Sequence, residues 1–518
     1  MTKLPPEPSR TVRTPQMFRP EILVLLIPAA AKLLLHLLTI NGYGIHGDEL
    51  YYLACSDHLD WGYVDQPPLS ILLLHIERVT FGDSLLSIRL LPALAGFFTV
   101  LLTGLLARRM GAGLFGQFLA GLCSLVAPVY LALHHFFSMN AFDTLFWVAA
   151  VYLMIRIIDG GKPTLWVWFG LVMGLGFQNK ISVLFLAFGI VVGLLLTNQR
   201  RLLFTRWIWL GVLVGVLVMI PNIVWQISHG WPTLEWIANA RAQKMVAQSL
   251  PGFLKEQILL MQPLTVLVWG TGLIVLLLHP PLARYRALAW CYLAVLAVFI
   301  VQDGKPYYLA PIYPFLFAAG AIAIERPLAR PWMRTAIAVA VLGTGALTAP
   351  LGMPLLPVES FLKYQDVIGL RPSSGEKWAE GRLPAFFANF FGWKELAATV
   401  DSVYRTLPPD DQVKCGVYCR DYMQAGAIDF YGGRNGLPRA IAGHNNYWLW
   451  GTRGYTGEVM IVLGYNAHDL QKYFEEVTER ARFRNGYVLP LRNNIPIFVV
   501  RKPRQTLEQL WPKVKSYM

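Results

Sequence analysis

Charge is scarce in this chain: 15% of its 518 residues are Asp, Glu, Lys or Arg, against about 25% in soluble domains. That poverty excludes an ordinary water-soluble enzyme of this length. Cysteine is scarce too. The five present (Cys55, Cys123, Cys291, Cys415 and Cys419) cannot build a disulfide framework, and none stands at zinc-finger spacing with histidine. Within "CGVYC" the strand-like spacing puts Cys415 and Cys419 about 13 Å apart, too far for a disulfide without a bend. No P-loop, no GxGxxG after a strand, no repeat of fixed period and no low-complexity tract occur, so nucleotide chemistry has no visible home. Nor does a small-residue cleavage site follow the first apolar run, so Arg10, Arg13 and Arg19 precede an uncleaved span rather than a signal peptide.

What the chain has instead is hydrocarbon. Hydrophobic residues make up 55% of it, gathered into runs near the ~20 residues that cross a bilayer. Eleven runs fall at about 21–40, 85–107, 112–133, 141–158, 165–179, 182–197, 207–227, 263–279, 287–301, 307–325 and 335–352. They predict an α-helical polytopic membrane protein of about eleven spans. The net charge of +14 is then explained by basic residues flanking spans, not by nucleic acid. Arg108, Arg109, Lys162, Arg200, Arg201, Arg206, Arg284, Arg286, Arg326, Arg330 and Arg334 fall in alternate loops, on the side of the basic N-terminal tail. By the positive-inside rule that side is cytoplasmic. Loops 41–84, 134–140, Gln178–Lys180, 228–262 and Gln302–Pro306 then face outward.

From Met353 hydropathy collapses, and Pro354, Pro357, Ser373, Ser374 and Gly375 mark a linker. The expected division is a membrane domain over 1–352 and a small extracytoplasmic α/β domain over 353–518. Strands are predicted at 413–419, 457–464 and 495–500, and a helix over 466–483 from the spacing of Leu470, Tyr473, Phe474 and Val477.

Chemistry concentrates in 41–73, "NGYGIHGDELYYLACSDHLDWGYVDQPPLSILL". Asp48, Glu49, Asp57, Asp60 and Asp65 alternate there with Tyr51, Tyr52, Trp61 and Tyr63. Acids interleaved with aromatics beside a span suit a pocket for a sugar or polar head group. The Asp48-Glu49 pair after the first span resembles the acidic signature of GT-C glycosyltransferases of the protein-O-mannosyltransferase type. "SMNAFDTLFWVAAVYL" (138–153) is similar to their second acidic motif, "GLGFQNKISVLFL" (174–186) to their Gly-rich helix ending in Lys, and "DGKPYYLAPIYP" (303–314) to their Lys-Tyr-Pro segment. The resemblance covers about 1–330 and extends to the bacterial aminoarabinose transferase of lipid A.

The resemblance implies transfer of a sugar, with inversion, from a polyprenyl-phosphate carrier to a hydroxyl of a protein, lipid or glycan acceptor at the outer face; short loops without large inserted domains point to a bacterial inner membrane rather than an endoplasmic reticulum. Asp48 is the expected base, with Glu49 and Asp143 as further catalytic carboxylates. Lys180, Arg241, Lys244, Lys305 and Tyr308 are expected at the donor phosphate, and Tyr52, Asp65 and His135 at the substrate. No cofactor is required on this reading, and a divalent metal near His46, His134 and His135 is left open.

Plainer roles compete. Asp48 follows Gly47 and would complement a helix dipole; Asn140 and Asp143 have capping-box spacing; Asp65 or Gln66 with Pro67 reads as a helix start. Lys305 would serve as a solvated turn, Arg241 and Lys244 as a surface pair, and "GHNNYWLWG" (443–451) either stacks on sugar or fills a core. Two other functions remain: a lipid-linked glycan transporter, which would hold its charges at mid-membrane in repeated broken helices, and a non-catalytic glycan-binding partner.

Overall fold

A computed structural model describes residues 20–246, 248–370 and 376–518. The basic tail with Arg10, Arg13 and Arg19, and linker residues Ser373, Ser374 and Gly375, lie outside the described residues. Each apolar run carries helix. The first half comprises α1 (Pro20–Thr39), α2 (Gly47–Ser56), α3 (Leu69–Phe81), α4 (Leu85–Met110), α5 (Leu114–Val126), α6 (Pro128–Leu133), α7 (Met139–Ile158), α8 (Leu165–Asn179) and α9 (Val183–Leu195). There follow α10 (Arg206–Ser228), α11 (Pro232–Gln243), α12 (Leu250–Leu260), α13 (Val266–Leu278), α14 (Arg286–Val301), α15 (Tyr313–Glu325), α16 (Pro331–Thr348) and α17 (Val358–Ile368).

Among the described residues seven helices are long and apolar enough to cross a membrane, or nine if each of two bent pairs is one span. The difference from eleven continuous runs has a local cause. Proline lacks an N–H and clashes with the preceding turn, so the run at 112–133 is divided at Pro128, and α12 meets the helix beginning at Pro263 at 107°. Large side chains on α10 such as Trp209, Leu213, Leu217 and Val224 are exposed, as expected of a surface that meets lipid. Its other face carries Gly211 and Gly215 against Gly170 and Gly174 of α8, so close that a Cβ on Gly170 would lie 1.9 Å from the Gly211 carbonyl oxygen. Small residues four apart permit this approach where no hydrophobic effect drives association.

At the end carrying the basic loops, Asp159 accepts from Arg109 Nε and the Tyr285 hydroxyl, both at 2.7 Å, and Arg284 Nη1 lies 3.4 Å away. One carboxylate thus ties three loops that charge alone assigned to one side.

The C-terminal region forms a five-stranded sheet: β1 (Cys415–Cys419), β2 (Ala440–Ala442), β3 (Val459–Leu463), β4 (Phe474–Phe483) and β5 (Ile495–Pro503), in the order β2-β1-β3-β5-β4. β1 runs parallel to β2 and β3, whereas β5 is antiparallel to β3 and β4. The three predicted strands form. The predicted helix over 466–483 does not: it stops at Gln471, and 474–483 is the edge strand β4. A register irregularity between Glu479 and Ala481 breaks the two-residue alternation, and with few apolar residues left the pattern imitates a helical one. All five cysteines are buried and free.

The membrane helices share one core, and a second core joins α2, α3 and the N-terminal ends of α4 and α7 to the sheet region, including Tyr51, Phe137, Trp393, Val417 and Ile461. The loop at 41–84 is therefore packed into the C-terminal region.

Candidate active site

A cavity of about 1270 Å³ opens where the loops at 41–84, 134–140, 228–262 and 302–306 meet the sheet region. α2 delivers the first acid. His46 caps the helix: its Nδ1 accepts from the Asp48 N–H at 3.1 Å, while Glu49 Oε2 accepts from the His46 N–H at 2.8 Å, a reciprocal capping box. Burial holds the imidazole below its ordinary pKa against the pull of Asp48 and Glu49, in keeping with a ring nitrogen that accepts. Asp48 turns into the cavity with about a third of its side chain exposed, and its Oδ1 accepts from the Tyr422 hydroxyl at 3.1 Å. Among the described residues its Oδ2 receives no hydrogen bond; His46 Nδ1 lies 3.8 Å from it.

Glu49 points the other way. Fully buried, it takes Nε and Nη2 of Arg89 at 2.8 and 2.7 Å and the Phe137 N–H at 2.8 Å. Arg89 also donates to the Ile40 and Gly44 carbonyls. Glu49 does not line the cavity; it pins the turn that aims Asp48.

Asp65 does line it, and caps no helix: α3 begins at Leu69 without a side-chain cap. The Tyr51 hydroxyl lies 3.0 Å from Asp65 Oδ1, and Asn445 Nδ2 donates to Oδ2 at 3.3 Å. Burial raises its pKa to about 6, although the Tyr51 bond opposes the rise. Tyr52, also on the wall, accepts from the Met139 N–H at 3.1 Å at the start of α7. The proposed Asn140–Asp143 capping box is absent, since Ser138 is the cap and makes no side-chain bond. Asn140 Oδ1 instead accepts from Lys180 Nζ at 2.7 Å, and Asp143, set behind the wall, accepts from Ser182 Oγ at 2.6 Å with Lys180 Nζ 3.4 Å away. Lys180 enters the cavity at the end of α8, 5.0 Å over the Tyr308 ring.

The other cations cluster around one carboxylate. Lys305 and Lys244 lie 2.5 and 3.4 Å from Glu376 Oε1. Burial alone would raise Glu376, but the two lysines hold it below the carboxylate range. Arg241, on the same wall, is half exposed and 4.0 Å from Asp303. Asp48, Asp65, Tyr52, Lys180, Arg241, Lys244, Lys305 and Tyr308 thus share one cavity.

His135 does not reach it. It is fully buried with His36, His134 and Lys32, its ring 6.1 Å from His36, and neither of its nitrogens has a hydrogen-bond partner among the described residues. His46 touches Asp48 and Glu49 as the cap of α2, and among the described residues no group of three His, Cys, Asp or Glu side chains is placed to hold a metal ion. In 443–451, Asn446 clamps the outer loop, its Oδ1 accepting from the Val64 N–H at 2.8 Å, while Trp450 stacks on His58 at 4.2 Å. Tyr422 and Glu376 were missed in the sequence, where nothing marks them; each enters the site from a segment remote in the chain.

Apolar helices surround a polar cavity roofed by a small sheet, and this multi-pass membrane protein shares its GT-C fold with solved structures. ArnT from Cupriavidus metallidurans superposes with a TM-score of 0.62 when bound to undecaprenyl phosphate and 0.61 in the apo state, at 14% identity over 92% of this chain and 97% of that one. The oligosaccharyltransferase of Archaeoglobus fulgidus in complex with Zn and sulfate gives 0.50 at 14% identity, over 80% and 62% of the two chains. In sequence, the profile of the dolichyl-phosphate-mannose-protein mannosyltransferase family matches residues 65–225. The lipid A galacturonosyltransferase RgtD of Rhizobium johnstonii is 27% identical over 190 residues, 36% of this chain and 40% of its own length.

Proposed function

We propose that the chain is a membrane glycosyltransferase that moves a sugar from a polyprenyl-phosphate donor to a hydroxyl of a lipid or glycan acceptor at the outer face, with inversion. The reading rests on one observation above the rest: a carboxylate with an oxygen to spare, Asp48, faces the same cavity as Lys180, Lys244, Lys305 and Arg241. As the acceptor oxygen bonds to the anomeric carbon, its proton passes to Asp48; the bond from that carbon to the phosphate oxygen breaks, and the electron pair leaves with the phosphate. The lysines stabilise that growing charge in a site of low dielectric. ArnT of known structure in complex with undecaprenyl phosphate and the lipid A specificity of RgtD support a polyprenyl-phosphate donor and a lipid-borne acceptor.

The test is Asp48→Asn, which keeps the side chain's shape but cannot take the proton. Purified variant should bind undecaprenyl phosphate as the wild type does and transfer sugar at least ~10²-fold more slowly. Wild-type rates in D48N would remove Asp48 as base, whereas donor binding without transfer by the wild type itself would favour a transporter.

A further inference from the structure

The cavity does not end at the acids. It continues into the sheet region along the carboxyl ends of its three parallel strands, where Arg420 and Asp421 follow β1, Gly443 and His444 follow β2, and Gly464 and Tyr465 follow β3. The chain leaves β1 for β2 on one side, then returns across β1 to β3 on the other. In open α/β sheets the crevice at such a reversal is where ligands bind.

The crevice carries both signs: Arg482 pairs with Glu479 and Asp469 with Lys472, which leaves Arg420 and Arg492 beside Asp421. Arg420 donates to the Gly464 carbonyl at 3.1 Å and has no carboxylate partner among the described residues. Arg492, which also lines the cavity, donates to Asn389 Oδ1 at 2.5 Å, and its buried Nε, 3.7 Å from Asp421 Oδ2, makes no hydrogen bond among the described residues. Guanidinium groups left in this state match the oxygens of a phosphate or carboxylate. The crevice also adjoins the base, because Tyr422, which bonds Asp48, begins the helix directly after β1. Inversion requires the acceptor to approach opposite the leaving phosphate. The lysines lie on the membrane half, so the sheet region is the side left for the acceptor.

We propose that this crevice is the acceptor subsite and takes a sugar bearing an anionic substituent, held by Arg420 and Arg492 so that its hydroxyl reaches Asp48. The proposal rests on the glycosyltransferase reading and deepens it. Saturation-transfer NMR on the full-length protein in detergent, with undecaprenyl phosphate present in excess, tests it using three probes: glucose 1-phosphate, glucuronate and methyl glucoside. At least one charged sugar should give a signal at least five-fold above the neutral one, the stronger of the two telling phosphate from carboxylate. Arg420→Gln and Arg492→Gln should each abolish that difference while leaving undecaprenyl phosphate binding within two-fold. Equal signals from charged and neutral sugars, an undiminished preference in R420Q and R492Q, or joint loss of both ligands in both variants would overturn it. Failure of the wild type to bind undecaprenyl phosphate would instead sink the donor reading and leave the crevice result standing.

Discussion

Individual side chains in the cavity divide by what they already hold. Lys305 and Lys180 sit 2.5 Å from Glu376 and 2.7 Å from Asn140 respectively, partners that a phosphate would compete with or supplement. Lys305→Met should lower kcat by roughly 10²–10³ if the ammonium acts on the leaving phosphate in the transition state, and a pre-steady-state transfer assay separates this from a change in donor affinity alone, which would mean uniform binding. Asp65 predicts a pH effect. Its carboxyl titrates at about 6 in the folded chain and near 4 when unfolded, so between those values the native state holds a proton that the unfolded state has released. Stability from this group is present at low pH and is lost as pH rises from about 4 to about 6. Asp65→Asn should therefore raise Tm at pH 7.5 and leave it nearly unchanged at pH 4; equal Tm at both values would remove Asp65 as the strained acid. In the sequence Asp65 looked like a helix start because Pro67 follows closely, and only the fold brings Tyr51 and Asn445 to it. Asp48 and the lysines were legible because a family resemblance and the alternation of charged loops pointed to the same residues.

Among the elements, α2 carries the sharpest dependence on a single contact. Both Arg89 and Glu49 are buried, and removing one partner of such a pair costs about 3–5 kcal/mol because the other charge stays buried alone. Glu49→Gln should lower the denaturation midpoint accordingly and cut activity without touching Asp48, whereas an unaltered midpoint would show that the pair does not hold the helix. The sequence presented Asp48 and Glu49 as neighbouring acids of one kind; one residue step along a helix rotates by about 100° and sends one into the cavity and the other to Arg89. β4 shows the opposite failure. Edge strands are often charged and irregular to prevent further pairing, and those features erased the two-residue period by which 474–483 would have been read as a strand. Central strands β1, β3 and β5 are buried on both faces and announce themselves as short apolar runs.

For the whole molecule, the loops assigned outward by charge converge on one cavity, and the basic loops meet at Asp159. Reporters fused after Arg109, Arg201 and Arg330 should read cytoplasm, and those after Asn140 and Pro306 the outside; a cytoplasmic signal at Pro306 would separate Lys305 from the acids and dismantle the site. What hydropathy could not reveal is that the outer loop and the C-terminal sheet share a core, since burial against a remote partner leaves no local period. That shared core also orders events in time. Arg89 lies 40 residues beyond Glu49, so their pairing closes early, but the Tyr51 hydroxyl meets Asn446 only after 395 further residues have been made. At elongation rates of about 5–20 residues per second that interval is roughly 20–80 s. For most of it a nascent chain has made Asp48 but neither Tyr422 nor the crevice beyond it, so on the proposed reading a ribosome-bound chain holds donor-side residues before it can seat an acceptor.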